Sequence, residues 1–349
     1  MDFEDDEVDA ILQVAVAGHL IGYEMLSEEL GREVERWNAR MVMFSKDRDF
    51  ANRRTAIILD EATHPDIIKI ESRLTKYQFK SLARWLEQNA TVSDSKYAIL
   101  NTKLMLFLHI CGHDASFRST GTRFWMPWSQ ISKYFHQVLE GLVQLAQEAI
   151  QGYDINDSPS VPTKIYADKR YHTFWNCLGA VDGTLIPASI KGGDRLGDGG
   201  EGAYRCRKGW LALNVIGCVD FDINFKYVYP GWECSAHDAT VFNDAVRRGE
   251  FVTPKGRFWL ADAGYSQADG YGGQLLAPYM GERYHLAEWE IGNKRHHTKE
   301  ELFNLRHSKM RNVVGRTYGV WKMRFRIFQC PRDGFSLETS ILPKRKLFG

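Results

Sequence analysis

Residues 176–184 read NCLGAVDGT and residues 257–265 read RFWLADAGY. In both, a short apolar run ends at an aspartate that glycine follows within two residues: Asp182 before Gly183, and Asp262 before Ala263 and Gly264. An apolar run of that length, bounded by glycine, predicts a buried strand. A neighbour without a side chain lets a ligand approach the backbone. Both aspartates are therefore expected at strand ends, where two carboxylates suit a hard divalent cation such as Mg²⁺ or Mn²⁺. Each aspartate taken alone also fits a simple turn cap.

Outward from these runs, strand-like segments are expected at Asn176–Val181, Trp210–Val219, Phe225–Tyr229 and Phe258–Ala261. Helices are expected at Ala236–Arg248 and Lys299–Arg326. Strands first and flanking helices afterwards predict an α/β domain over 174–349 whose early strands form antiparallel hairpins. Upstream, residues 61–151 carry apolar positions at three- and four-residue spacing. They predict a helical region with consecutive helices at Thr102–Cys111, Ala115–Phe124 and Pro127–Ala146. Three helices joined by tight turns permit a helix-turn-helix, the third presenting Ser129, Gln130, Ser132 and Lys133 to phosphates or base edges. A plain helical bundle with a wet polar side fits the same pattern. Residues 152–173, with DSPSVP, read as a linker. Residues 1–60 read as an acidic leader, a helix around Ile11–Trp37 and a basic arm, KDRDFANRRT.

The 349 residues, 44% apolar and 26% charged, are ordinary for a soluble chain. The net charge of +1 hides an asymmetry. Residues 1–36 hold eleven acids against two arginines, whereas residues 294–349 hold fourteen Lys/Arg against four acids. The second excess is of the kind that attracts phosphate backbones. The six cysteines stand singly, so neither a zinc knuckle nor a disulfide framework is expected. No apolar run is long enough to span a membrane, and the acidic start is unlike a secretory signal, so an intracellular chain without membrane partners is expected.

The blocks LGAVDGTLIPAS, YRCRKGWLALNVIGCVDFDINFKYVYPGWECSAHDATVFNDA, LADAGYSQ, LLAPYMGERYHL and ELFNLRHSKMRNVVGRTYGVWKMRFRIF occur in that order. Together they resemble the DDE nuclease domain of the PIF/Harbinger transposase superfamily. The preceding LFLHICGHDASFRSTGTRFWMPWSQISKYFHQVLEGL is similar to the helix-turn-helix segment that those proteins place ahead of the nuclease. The resemblance implies an RNase H-like fold, two divalent metal ions, DNA as substrate and strand cleavage by in-line displacement. It also implies a separate Myb-like DNA-binding partner, and a DNA-directed fold of this kind leads us to expect the nucleus, with the cytoplasm as the alternative. Asp182 and Asp262 match the first two catalytic acids. The third, a glutamate in N-V-I-E-R-x-F-G, falls on Gly315 of Asn312–Gly319.

Among other acids, Glu301 is expected roughly 21 Å away along the helix axis, out of reach. Asp238, in SAHD, is the nearer candidate, as a metal ligand or as a capping group for the next helix. Arg205 and Lys208 in YRCRKG, together with Lys322 and Arg324 late in the long helix, are expected at the DNA. Beyond FSLET the chain continues as SILPKRKLFG in place of the family's apolar helix. The nuclease domain is thus expected to be truncated, with apolar surface left for a partner or an oligomer. Its Lys344-Arg345-Lys346 run resembles a nuclear-import signal. A transposase-derived DNA endonuclease with weak or lost cleavage follows, with a catalytically dead DNA-binding scaffold as the alternative.

Three other signals are set aside. Residues 181–185, VDGTL, resemble a phosphatase motif, but Ala180 stands where the nucleophile belongs. His109 and His113 have zinc-ligand spacing but lie on an apolar helix with no glutamate after His109, so a core or capping role is expected. The glycines from Gly192 to Gly202 lack the G-K-[ST] ending of a phosphate loop and are expected to form a hairpin tip.

Overall fold

A computed structural model describes residues 47, 49–60, 66–89, 92–189, 200–207, 209–265, 274–285, 288 and 296–329. The expected N-terminal helix, Lys208, most of the glycine-rich loop and the C-terminal tail with Lys344-Arg345-Lys346 lie outside these residues.

The helical expectation for the first half corresponds to helices α1 (Phe50–Leu59), α2 (Ile67–Ser72), α3 (Lys76–Asn89), α4 (Leu100–His113), α5 (Phe117–Phe124) and α6 (Trp128–Ala149). They close around Phe79, Leu86, Leu104, Met105, Ile110, Phe124, Ile131 and Val138, all fully or almost fully buried. The Ser116 hydroxyl caps α5 by accepting from the Ser119 amide at 3.0 Å. Pro127 precedes α6, where its missing amide hydrogen costs nothing. The basic arm is corrected, because its residues 50–55 lie in α1. Ala51, Thr55 and Ile58 bury one side of that helix, while Arg53 pairs with Asp47 and Asp49 on the other.

The expected linker is also partly folded. A short helix α7 (Thr163–Tyr166) and a 3-10 helix (Lys169–Phe174) bury Ile165 and Phe174 against the sheet, apolar contacts that the prolines around them do not prevent.

The second half is a five-stranded mixed sheet. Its strands are β1 (Cys177–Pro187), β2 (Ala212–Asp220), β3 (Phe225–Glu233), β4 (Phe258–Leu260) and β5 (Leu275–Leu276), in the order β3-β2-β1-β4-β5. The hairpins β1–β2 and β2–β3 are antiparallel, and β4 and β5 add in parallel. After β1 comes a one-turn helix, α8 (Gly200–Ala203). Helix α9 (Asp238–Arg247) covers one face of the sheet with Val241, Phe242 and Ala245. Helix α10 (Lys299–Arg324) covers the other with Met310, Val313, Val314 and Tyr318. Thr298 caps α10 by accepting from the Glu301 amide, and the Glu301 carboxylate reaches back to the His297 amide, a variant of the capping box. The helix ends at Phe325, whose side chain packs into the core of the helical region, so α10 ties the two halves together.

Asp182 is not at a strand end. β1 runs on through Pro187, because residues 182–187 pair with Gly217 down to Ala212 of β2. The ladder with β4 stops at Ala180 opposite Leu260. From Asp182 onward, β1 therefore has a free edge on the β4 side, and the site is built there.

Candidate metal centre

Side chains alternate across a strand. Ala180 joins the core under α10, Val181 joins the core under α9, and Asp182 points back towards α10. Asp262 follows β4, and its Oδ1 accepts from the Gly264 amide at 2.9 Å, which fixes the carboxylate at the strand's end. Arg311 of α10 lies between the two acids, its Nη2 2.8 Å from Asp182 Oδ1 and 3.5 Å from Asp262 Oδ2. The Tyr318 hydroxyl donates to the Asp182 carbonyl at 2.8 Å. Lys322, another turn along, donates to Thr184 Oγ1 and to the Leu185 carbonyl.

Two glycines permit this crowding. Gly217, opposite Asp182 on β2, leaves room for the Tyr318 hydroxyl, and Gly183 leaves room for the Asp238 carboxylate. A Cβ at either position would collide with the group named. Asp238 is the first residue of α9, and its Oδ1 accepts from Asn214 Nδ2 at 2.7 Å. Three aspartates thus converge on the free edge of β1, Asp182 and Asp238 from opposite faces of the sheet and Asp262 from the neighbouring strand.

The electrostatics follow from this placement. Burial pushes the Asp182 carboxyl up to about 6; Arg311 opposes the shift, and Asp262 and Asp238 add to it. Burial likewise raises Asp238, against the hydrogen bond from Asn214. The Lys322 ammonium is lowered by burial. Beneath Arg311, burial lowers His307 to about 4, so the neutral ring donates from Nε2 to the Leu276 carbonyl and accepts at Nδ1 from Tyr284.

The donor set fits a divalent cation. It consists of hard carboxylate oxygens, and a guanidinium already occupies the position between two of them as a cationic stand-in. Two polar atoms near Asp238, Tyr265 Oη and Asn214 Oδ1, are buried without a hydrogen-bond partner among the described residues. Buried polar groups are normally satisfied, so such atoms mark where a ligand or its water belongs.

Gly315 lies one turn after Arg311 and one before Tyr318, on the stripe of α10 that faces the aspartates. It is exposed, and a Cβ there would have Asn312 Oδ1 at 3.6 Å. Glu301 is held by Arg283 at 2.7 Å and does not replace the missing acid.

The residues expected at DNA fall in different settings. Arg205 is exposed, bonded to Glu201 and to the Gly209 carbonyl, and lines a groove of about 1370 Å³ that runs from Gly183 past Arg207 and Trp210 to Lys322. Lys322 lines this groove, but its ammonium is spent on β1, as above. Arg324 is exposed at the end of α10. Ser129 and Lys133 are exposed on the first turns of α6, and Gln130 is half-buried. Sequence reasoning missed Arg311, Tyr318, Asn214 and Tyr265; the contacts of the first three span 24 to 136 positions of chain. Only the glycine opposite Asp182 and the glycine after it hint at such close approach.

His109 has the core role expected of it and is buried. The fold also brings Glu71 to it, so that Glu71, His109 and His113 hold donor atoms within 4.8 Å of one another. Burial tends to raise the Glu71 carboxyl, but His109 and Arg123 outweigh it and hold it down at about 2. Arg123 pairs with Glu71, and Arg73 donates towards His113 Nδ1 at 3.3 Å. One guanidinium already neutralises Glu71 and a second lies against His113, so a dication would face their repulsion.

Residues 181–344 match the family model of DDE superfamily endonucleases, and residues 58–144 match a domain of unknown function. No curated protein and no solved structure matches the chain.

Proposed function

We propose, from the match of residues 181–344 to DDE superfamily endonucleases, that the chain is a transposase-derived, DNA-directed nuclease of PIF/Harbinger type with an RNase H-like core, its cleavage weakened by Gly315. The observation that carries this reading is the pair Asp182 and Asp262 closing on one cationic group at the free edge of β1. Asp182 and Asp262 would hold Mg²⁺ or Mn²⁺, which when bound supplies an activated water and stabilises the leaving oxygen in phosphodiester hydrolysis. The chain's own contribution is placement. The Tyr318 hydroxyl and Gly217 fix the β1 backbone at Asp182, the Gly264 amide orients Asp262, and Arg311 neutralises both acids until a cation replaces it.

The groove beside the site, with Arg205 and Arg207 at its rim and Trp210 along it, suits a DNA backbone, as do the exposed positive charges at Arg324. Helices α5 and α6, joined through Trp125 in a left-handed conformation (φ 50°), are spaced as a helix-turn-helix whose second helix offers Ser129, Gln130 and Lys133. Nuclear accumulation, a Myb-like DNA-binding partner and self-association belong to the same reading, and a tagged chain followed in cells reports the first.

Gly315 favours a second reading, a DNA-binding scaffold that has lost cleavage. A supercoiled plasmid incubated with the protein and Mn²⁺ separates the two. Slow nicking that disappears in Asp182→Asn and Asp262→Asn supports the nuclease. Salt-sensitive binding without nicking supports the scaffold. Nicking that survives either substitution, or that proceeds in EDTA, overturns the assignment of the site.

A further inference from the structure

The loss of the α10 glutamate leaves the site one anion short, yet the free edge of β1 holds a third carboxylate. Asp238 reaches it from the α9 face. Because β4 ends at Leu260, no strand separates this carboxylate from Asp262. Asp238 and Asp262 line the same cleft, of about 660 Å³, together with Tyr265. The carboxylate lies over Gly183, in space that any Cβ would fill. Asn214, only 2% exposed, fixes one oxygen, and the other has no hydrogen-bond partner among the described residues. Tyr265 Oη, in a residue 3% exposed that lines the same cleft, has no hydrogen-bond partner among the described residues.

We infer that Asp238 is the third anionic ligand of this centre, holding a second divalent ion against Asp262, whose cleft it shares, in place of the acid missing at Gly315. The inference rests on the metal-dependent reading above. A merely structural Asp238 would act as a first-turn acid favoured by the α9 dipole. That role does not require the carboxylate to lie on Gly183, nor a buried asparagine to hold it there. Two ions a few ångströms apart repel each other, and each needs its own anionic anchor. Asp182 and Asp262 without a third acid would leave one of the two ions with a single carboxylate.

Calorimetric titration of Mn²⁺ into the metal-free full chain tests this without reference to activity, with a thermal melt in EDTA confirming that each variant is folded. Wild type should bind two ions, and Asp238→Asn should lose one of them or weaken it by at least about tenfold. Gly183→Ala keeps every charge but displaces the Asp238 carboxylate, and it should weaken the same ion. Unchanged binding in Asp238→Asn, while Asp182→Asn abolishes it, overturns the inference and leaves the broader reading intact. Weakening in Asp238→Asn but not in a folded Gly183→Ala also overturns it, since the effect would then be one of distant charge rather than ligation. Absence of Mn²⁺ heat in wild type overturns both.

Discussion

Replacing Asp182 by asparagine should make the metal-free protein more stable relative to wild type as pH rises, although it destroys the site. The folded carboxyl titrates at about 6, against an ordinary value of 3.8, so between these values the folded state binds the proton more tightly than the unfolded chain. Stability therefore falls with rising pH across this window and stays low above it. At 1.36 kcal/mol per pH unit, a shift of about two units costs the ionised form about 3 kcal/mol. Asparagine resembles the protonated acid and carries no such cost. Guanidinium chloride unfolding in EDTA, at steps from pH 4 to 8, should show Asp182→Asn gaining about 2–3 kcal/mol on wild type, mostly below pH 6.5. Added Mn²⁺ should reverse the order above pH 7, because only wild type gains from binding. A stability difference that stays flat with pH would refute the claim that burial and the neighbouring acids, held for a cation, dominate at Asp182.

Other outcomes follow from the same geometry. Arg311→Gln removes the guanidinium that a cation must displace and should tighten Mn²⁺ binding by about tenfold, an ion-pair-sized effect near a protein surface; weaker binding would show that Arg311 organises the site rather than competes for it. Gly315→Glu should stabilise α10 by roughly 0.5–1 kcal/mol in a melt, and it should restore Mn²⁺ binding and nicking in an Asp238→Asn background; failure there would mean that position 315 does not reach the centre. DNA affinity should fall steeply with salt, and Arg207→Ala should flatten the slope of log K against log[salt] by about 0.9, one phosphate contact. A slope unchanged in that variant would move the DNA away from the groove.

Much of the fold was legible because its signals are local. The apolar spacing in Thr102–Cys111 and Pro127–Ala146 gave helices that the structure extends by two or three residues at most ends, and Lys299–Arg326 differs from the observed helix only where Phe325 turns inward. β1 was underestimated, since DGTLIP looks like turn chemistry and becomes strand only because β2 offers a partner in register. β5, two residues long, has no pattern to read. At the site, the aspartates could be read from apolar run, acid and glycine. Arg311 could not, because nothing in RHSKMRN distinguishes it from the other cations of a basic helix until α10 is laid across β1. Asp238 was legible only as an alternative, and what turns it towards the centre is a glycine 55 positions earlier.

Asp182 and Asp262 are proposed to hold a divalent ion, and Mn²⁺ titration followed by calorimetry in wild type and Asp182→Asn at pH 7.5 tests this most directly. The structure predicts saturable heat in wild type that the substitution abolishes. Equal heats in the two proteins would contradict it.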